Sequence, residues 1–514
     1  MNLKAKLLDI QAAGKNIIIL DNETASYLGV HSSDRVCVTY KDKKKIAIVN
    51  LSREFPHDHV GFFEELSRAL SLKDGDNVQI QPAKRPEGLS YVRAKIRGHR
   101  LREDEIKEVV TDVVERHLSD IEIASFVTSL HIHGICMNEV KALTRAMVET
   151  GNTLDLDKKQ ILDKHSIGGI PGDKTSILVV PIIAAAGFVI PKTSSRAVTS
   201  PAGTADRVET LCPVDLAIEE IKKVVDRTNA CLVWGGALDL APADDIFIQI
   251  EYPLAIDPLL LPSIMSKKKA IGATHLVIDI PTGRGAKIKT IGEANSLAHD
   301  FIDLGKLLGI TVQCAVTYGE QPLGAAIGPA LEAREALSTI MGNGPEDLRE
   351  KAKEISSILF EMVGIKNGKQ KAEDLLKSGK AEEKLREIIE AQGGNSKVSP
   401  SDIEVGDKMA EVISEKEGRV LWINNRDLAQ IAKEAGAPKE SGAGIILKTK
   451  LGDYAKRSEI LLEIYAERNT KLEGALNLAK QLLPIGLSKK PEERMLIDRI
   501  PSITEHEETF VLER

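Results

Sequence analysis

From Gln160 to about Gly394 the chain alternates short apolar runs with stretches of helical periodicity. The runs TSILVV, GFVIP, CLVWGG, HLVIDIP and ITVQCAVT read as strands, and the amphipathic segments between them read as helices. Strands separated by helix-length connections pair in parallel, because a parallel neighbour is reached only through a crossover. The pattern predicts an α/β domain with a mostly parallel sheet. In such a sheet, ligands are held by the loops at the carboxyl ends of the strands.

The flanking segments have other signatures. Residues 1–84 carry short strands between turns (KNIIIL, DRVCVTY, KKIAIVNL, DNVQIQP) and predict a small β-rich, barrel-like domain, a candidate for oligomerisation. Within it LGVHSSDRVCV echoes LSLKDGDNVQI, each a helix end, a turn, an acidic residue and a strand. The echo suggests a pseudo-symmetric barrel of the double-psi type, or two unrelated turn–strand units. After the linker PAKRP, residues 85–155 show three- and four-residue apolar spacing and predict a helical lobe, with Ser119 or Asp120 and Asn138 as N-caps. A segment at about 240–270 is helical enough to return to that lobe. Residues 156–395 hold the α/β domain, and 396–514 predict a compact α+β domain.

Bulk properties narrow the class of function. A net charge of −7 over 514 residues and an aromatic content of 4% argue against a nucleic-acid binder, which is normally basic and rich in stacking side chains. The five cysteines show no CxxC spacing, so neither a disulfide framework nor a metal site is expected and a reducing cytoplasm is the default. Met1 opens directly into an amphipathic segment, with no signal peptide expected. The longest apolar stretch, Ile177–Ile190, is interrupted by Pro181 and Gly187 and is too short to span a bilayer.

Two loops hold most of the chemistry. In KHSIGGIPGDKTS, Gly168, Gly169 and Gly172 permit close backbone approach, Lys164 offers a cation, and Ser166 and Ser176 offer hydroxyls. In SSRAVTSPAGT, Ser194, Ser195, Thr199, Ser200 and Thr204 can each donate to an oxyanion. Loops of this kind bind phosphate through amides and hydroxyls. Arg196 either joins a phosphate or pairs with a neighbouring acid such as Asp206. Neither a Walker loop nor a GxGxxG motif is present here.

Other candidates surround these loops. His165, between Lys164 and Ser166, is either a proton shuttle near neutral pH or a structural histidine. Asp257 lies between an apolar run and Pro258. A carboxyl there is expected to be part-buried with a raised pKa and to act as a general acid, or else to cap a helix starting at the proline. Ser263 and Lys267 fall on one helical face. Lys287 and Lys289 occupy a third glycine-rich loop, TGRGAKIKT, just after a strand. Three such loops predict one shared cleft.

The motifs KHSIGGIPGDKTS…PKTSSRAVTSPAGTADRVE, SIMSKK and QPLGAAIGPALEAREAL strongly resemble the thymidine/pyrimidine nucleoside phosphorylases, over about residues 90–505. The resemblance implies the nucleoside phosphorylase type II fold, a helical lobe and an α/β lobe around a closing cleft. It also implies phosphorolysis of an N-glycosidic bond, a dimer or larger homo-oligomer, and no cofactor, inorganic phosphate being a co-substrate. The sequence departs from the pyrimidine enzymes in three ways. Pro171 is an extra loop residue, hydroxyls replace the glycines and histidine of the second loop, and the base-binding arginine expected near Ile250 is missing. With the extra N-terminal domain, these departures resemble the archaeal-type nucleoside 5′-monophosphate phosphorylases. That subgroup converts AMP and phosphate to adenine and ribose 1,5-bisphosphate. Carried over residue by residue, the resemblance places AMP against Gly169, Ser195, Arg196, Ala197, Val198, Thr199, Ser200, Thr204, Ser263 and Lys287. It places inorganic phosphate against Lys164, Ser166, Ser176, Ser194 and Thr204, and it makes Asp257 the general acid. The runner-up within the family is a thymidine/pyrimidine nucleoside phosphorylase.

Overall fold

The computed structural model describes residues 1–197 and 200–489. Its first unit is a closed six-stranded barrel, built from β1 (Asn2–Leu7), β2 (Ile17–Asp21), β3 (Arg35–Tyr40), β4 (Lys43–Ser52), β5 (His59–Phe62) and β6 (Asn77–Pro82). Two short helices, α1 (Asn22–Leu28) and α2 (Glu64–Leu70), connect β2 to β3 and β5 to β6. Alternate side chains such as Leu3, Ala5, Val36, Val38, Val78 and Ile80 fill the interior.

The internal echo has a structural counterpart. Each helix ends on a left-handed residue, Gly29 at φ 69° and Ser71 at φ 58°. Each following turn is closed by its acidic residue: Asp34 accepts from the His31 N–H at 2.7 Å and Asp76 from the Lys73 N–H at 2.8 Å. The strands then pair about a pseudo-two-fold, β2 with β5 and β3 with β6 antiparallel, and β4 and β1 flanking them in parallel with β2 and β5.

The helical lobe comprises α3 (Gly88–Ile96), α4 (Glu103–Val114), α5 (Asp120–His133) and α6 (Met137–Glu149). Ser119 caps α5 in a box with Glu122. Asn138 is not a cap. Cys136 occupies that position, because Glu139 reaches back to the Cys136 N–H at 3.1 Å while its other oxygen holds Lys95 and the Leu101 N–H.

The α/β unit runs through β7 (Leu162–Ser166), α7 (Thr175–Ala185), β8 (Ile190–Ser194), α8 (Thr204–Glu209), α9 (Ile218–Thr228), β9 (Ala230–Trp234), α10 (Pro242–Leu254), α11 (Leu260–Ala270), β10 (His275–Thr282), α12 (Ile291–Leu308) and β11 (Thr311–Tyr318). Strands β11, β10 and β7 pair in parallel, as do β8 and β9. A parallel bridge between Ile161 and Val189 joins the two groups. TSILVV is not a strand. It lies in α7, whose residues Thr175–Ala184 are all buried, and a helix apolar on every side carries no period to separate it from a buried strand. Helix α10 returns to the helical lobe. Its Ala243, Ile246 and Phe247 share that lobe's core, with Phe247 and Phe126 6.3 Å apart ring to ring.

Chain order runs from β7 outward to β8 and β9, then back past β7 to β10 and β11. Crossovers leaving in opposite directions open a crevice beside β7, where α/β sheets bind ligands. The loops after β7, β8 and β10 are the three glycine-rich segments. Ala326–Ile327 pairs with Gly444–Leu447, stitching the C-terminal α+β unit onto this one.

Candidate active site

Strand β7 sends consecutive side chains to opposite faces. Lys164, 2% exposed, lies between two carboxylates, 3.9 Å from Asp173 and 4.0 Å from Asp279. A second buried cation, Lys351, reaches Asp279 at 2.8 Å and Asp173 at 3.6 Å. The Thr317 and Thr175 hydroxyls complete the cluster, each donating at 2.6 Å, to Asp279 and Asp173 respectively. Burial pushes the Asp173 carboxyl up, but Lys164, Lys351 and the Thr175 hydroxyl outweigh it and hold the group well below the usual carboxylate range. Burial likewise lowers Lys164, opposed by its two acids. Ser166 ends the strand with its hydroxyl accepting from the Gly168 N–H at 3.4 Å. Ser176, buried in the first turn of α7, makes no side-chain hydrogen bond among the described residues. A buried cation beneath free hydroxyls at a helix start is a setting that accepts a phosphate dianion.

The other face of β7 carries Asp163 and His165. Lys268 meets Asp163 at 2.6 Å, and Lys192 lies 3.8 Å from it. Burial and the lysines Lys268, Lys192, Lys164 and Lys267 push His165 well below the usual imidazole range. The expectation of a shuttle titrating near neutral pH is therefore corrected.

The loop after β8 is organised around itself. Ser194 donates to the Val233 carbonyl at 3.2 Å, and Ser200 donates to the Ala202 carbonyl at 3.0 Å. Ser195 is exposed. The Asp206 carboxylate takes the N–H groups of Ala197 at 2.7 Å and Gly203 at 2.8 Å. Arg196 resolves to the ion-pair alternative. It lies over the Trp234 ring at 4.9 Å, pairs with Glu209 at 2.6 Å and lines a cavity of about 1000 Å³ shared with the C-terminal unit. Thr204 begins α8, with its hydroxyl accepting from Arg207 at 3.3 Å. Val198 and Thr199 lie outside the described residues.

The third loop touches the first. Gly169 has φ 96°, and a Cβ there would meet the Lys287 backbone nitrogen at 2.5 Å, so glycine is required by both conformation and contact. The Lys287 ammonium pairs with Asp257. Asp257 departs from expectation in two respects. It is exposed rather than part-buried, and it caps no helix, since α11 begins at Leu260. The buried carboxyl is Glu251, on α10. Burial and the nearby Asp257 push it up to about 8, and it accepts from the Leu259 N–H at 3.1 Å. Ser263 and Lys267 both reach one oxygen of Asp244, at 2.9 and 2.5 Å.

Known proteins resemble this chain along most of its length. Models of the glycosyl transferase family match at residues 89–151 (helical bundle domain) and 158–382 (a/b domain), and the pyrimidine nucleoside phosphorylase C-terminal domain matches at 420–486. The AMP phosphorylase of Thermofilum pendens is 49% identical over 97% of this chain and 98% of its own. The chain belongs to the AMP phosphorylase family. The family's AMP phosphorylases from Thermococcus kodakarensis and Methanocaldococcus jannaschii are each 48% identical, covering 98% and 97% of this chain and 100% and 99% of theirs.

In this member of the AMP phosphorylase family, several residues that shape the site had no clear signal in the chain. Arg207 donates to the Asp173 carbonyl at 2.8 Å, the Ala202 carbonyl at 2.8 Å and Thr204, and it pairs with the buried Glu332 at 2.6 Å. It thereby ties the first loop to the second. Its only hint was its place in TADRVE, directly after the hydroxyl-rich segment. Lys351 had none, because it joins the cluster from a helix far along the chain.

Proposed function

We propose that this protein catalyses the phosphorolysis of AMP by inorganic phosphate, giving adenine and ribose 1,5-bisphosphate. The observation that carries the reading is the buried Lys164 beneath Ser166 and the free Ser176 at the crevice beside β7, with the Gly169–Lys287 contact bringing Asp257 to the same cleft. The names of the full-length relatives support AMP as the substrate. We extend the proposal to other nucleoside 5′-monophosphates such as CMP and UMP, and to a cytoplasmic homo-oligomer with no cofactor, phosphate being the co-substrate. The ribose 1,5-bisphosphate would feed ribulose-bisphosphate formation.

In this mechanism Lys164, Ser166, Ser176 and Ser194 hold phosphate for attack at C1′ of the ribose. The bond to the base lengthens first, and the phosphate dianion stabilises the positive charge developing on the sugar. Holding both reactants in one cleft removes much of the entropic barrier. The exposed Ser195 and the loop up to Thr204 supply donors for the 5′-phosphate. Ser263 and Lys267, set by Asp244, face the base. Asp257 protonates the departing purine at N7. Phosphate with AMP, adenosine or thymidine, followed by chromatography of the released base, tests the reading. Adenine from AMP, dependent on phosphate, is expected. Thymine from thymidine with AMP untouched would overturn it in favour of an ordinary pyrimidine nucleoside phosphorylase.

A further inference from the structure

The Lys164 ammonium is buried, yet it is hydrogen-bonded to nothing among the described residues. Its two carboxylates stand at 3.9 Å (Asp173) and 4.0 Å (Asp279), close enough to stabilise its charge and too far to accept its N–H groups. An ammonium carries three donors, and keeping them unspent in a dry setting is costly. Some feature of the cluster must therefore hold the two acids away from Lys164.

That feature is Lys351. It is buried on the helix Glu346–Met362, which packs against α7 and β10. Its ammonium lies 2.8 Å from Oδ2 of Asp279 and 3.6 Å from Oδ2 of Asp173. The other oxygen of each acid, Oδ1, is taken by a hydroxyl, Thr317 on Asp279 and Thr175 on Asp173, both at 2.6 Å. These two carboxylates are the only ion-pair partners of Lys351 among the described residues. Burial lowers Lys351, but Asp173 and Asp279 outweigh it and hold the group above the usual lysine range, whereas Lys164 stays below that range. Two cations and two anions balance the cluster. Without Lys351 its charge would be negative, and a dianion brought to Lys164 would meet two buried carboxylates with one cation between them.

We propose that Lys351 is a positioning residue for inorganic phosphate, engaging Asp173 and Asp279 so that the Lys164 donors are left for the phosphate. The role rests on the phosphorolysis proposed above, with phosphate held by Lys164. Lys351 acts only through the two carboxylates and Lys164. The acids keep Lys164 charged against burial, and Lys351 keeps them from binding it. The arrangement is preorganised, so no pair has to break when phosphate arrives.

Steady-state KM for phosphate and for AMP in Lys351→Met and in Lys351→Met/Asp279→Asn tests this. Methionine keeps the apolar stem and removes the charge, and asparagine keeps an acceptor for the Thr317 hydroxyl. In the single variant KM for phosphate should rise about tenfold or more, with KM for AMP within about twofold of wild type. In the double variant one cation again faces one carboxylate, and KM for phosphate should return to within about threefold of wild type. An unchanged KM for phosphate in the single variant would overturn the inference. So would an equal rise in both constants, the mark of a displaced loop, or a double variant no better than the single. Should Lys351→Met fail to fold, Asp279→Asn alone decides. Its cluster carries one excess positive charge, so KM for phosphate should fall, and an unchanged or raised value would overturn the inference. Any of these contrary results beside a wild type that releases adenine from AMP and phosphate would overturn this inference alone. A wild type that releases none would overturn the underlying reading with it.

Discussion

In the loop after β7 the charges turn inward: Lys164, Asp173 and, from elsewhere, Lys351 and Asp279 share one buried cluster. In the loop after β8 the cation Arg196 turns outward onto Trp234 and Glu209, and Asp206 occupies the amides of Ala197 and Gly203. The two segments have similar glycine- and hydroxyl-rich composition. Their environments make the first a preformed, buried charge cluster and the second a loop in which the Ala197 and Gly203 amides are already satisfied by its own carboxylate. Preorganised charge in a dry setting costs nothing at the moment of reaction, whereas a self-bonded loop must exchange partners when its ligand arrives. On the proposed function, inorganic phosphate is assigned to the first loop, and the nucleotide's own phosphate to the second, where Ser195 is exposed.

The contrast breaks most visibly at Lys164. Lys164→Met leaves Asp173 and Asp279 to share Lys351 alone, and breaking a buried pair in this way costs about 3–5 kcal/mol. Phosphorolysis should fall by about a thousandfold or more, read by steady-state kinetics alongside denaturant unfolding. Arg207→Leu, which unties the two loops, comes next. Glu332 is already pushed up by burial and can protonate, so the stability loss should be smaller, about 2–3 kcal/mol, with KM rising for both substrates.

A similar loss, of opposite sign, is expected at Glu251. Its folded pKa of about 8 lies above the ordinary 4.5. Between those values the unfolded chain has released the proton that the folded chain keeps. The group's contribution to stability is thus full below 4.5 and is lost as pH rises through 8. Glu251→Gln should be more stable than wild type at about pH 9, by several kcal/mol, and equal to it at about pH 4. Urea unfolding at the two pH values checks this.

The second loop should respond more mildly. Asp206→Asn frees the Ala197 and Gly203 amides from a charged acceptor and should change KM for AMP by about tenfold, or about 1.4 kcal/mol, with KM for phosphate little altered. Arg196→Ala loses a half-exposed pair and a ring contact, and is expected to cost less than about 1 kcal/mol and to leave kcat within about threefold. A large effect of Arg196→Ala on phosphate affinity would erase the distinction between the loops.

Local pattern made the frame legible. Alternating strands and helices announced the parallel sheet, and the echoed turns offered the barrel's pseudo-symmetry as one of two readings, because both are written in local periodicity and turn residues. TSILVV was misread, since an all-buried helix and a buried strand share one composition. The site was legible as far as its loops. Gly169, Lys164 and Ser176 carry their chemistry in residue type and spacing. The charge states were not legible. His165 is pushed well below the usual imidazole range by burial and by four lysines from several elements, and Asp257 is exposed while Glu251 is buried because α10 turns back into the helical lobe. These are consequences of long-range packing that no local window contains.

The division of labour between the loops is tested most directly by KM for phosphate and for AMP in Ser176→Ala and in Ser195→Ala/Ser200→Ala, assayed side by side. The account predicts a crossed result: about fivefold or more on phosphate alone in the first variant, and on AMP but not adenosine in the second. Both variants moving both constants by the same factor would contradict it.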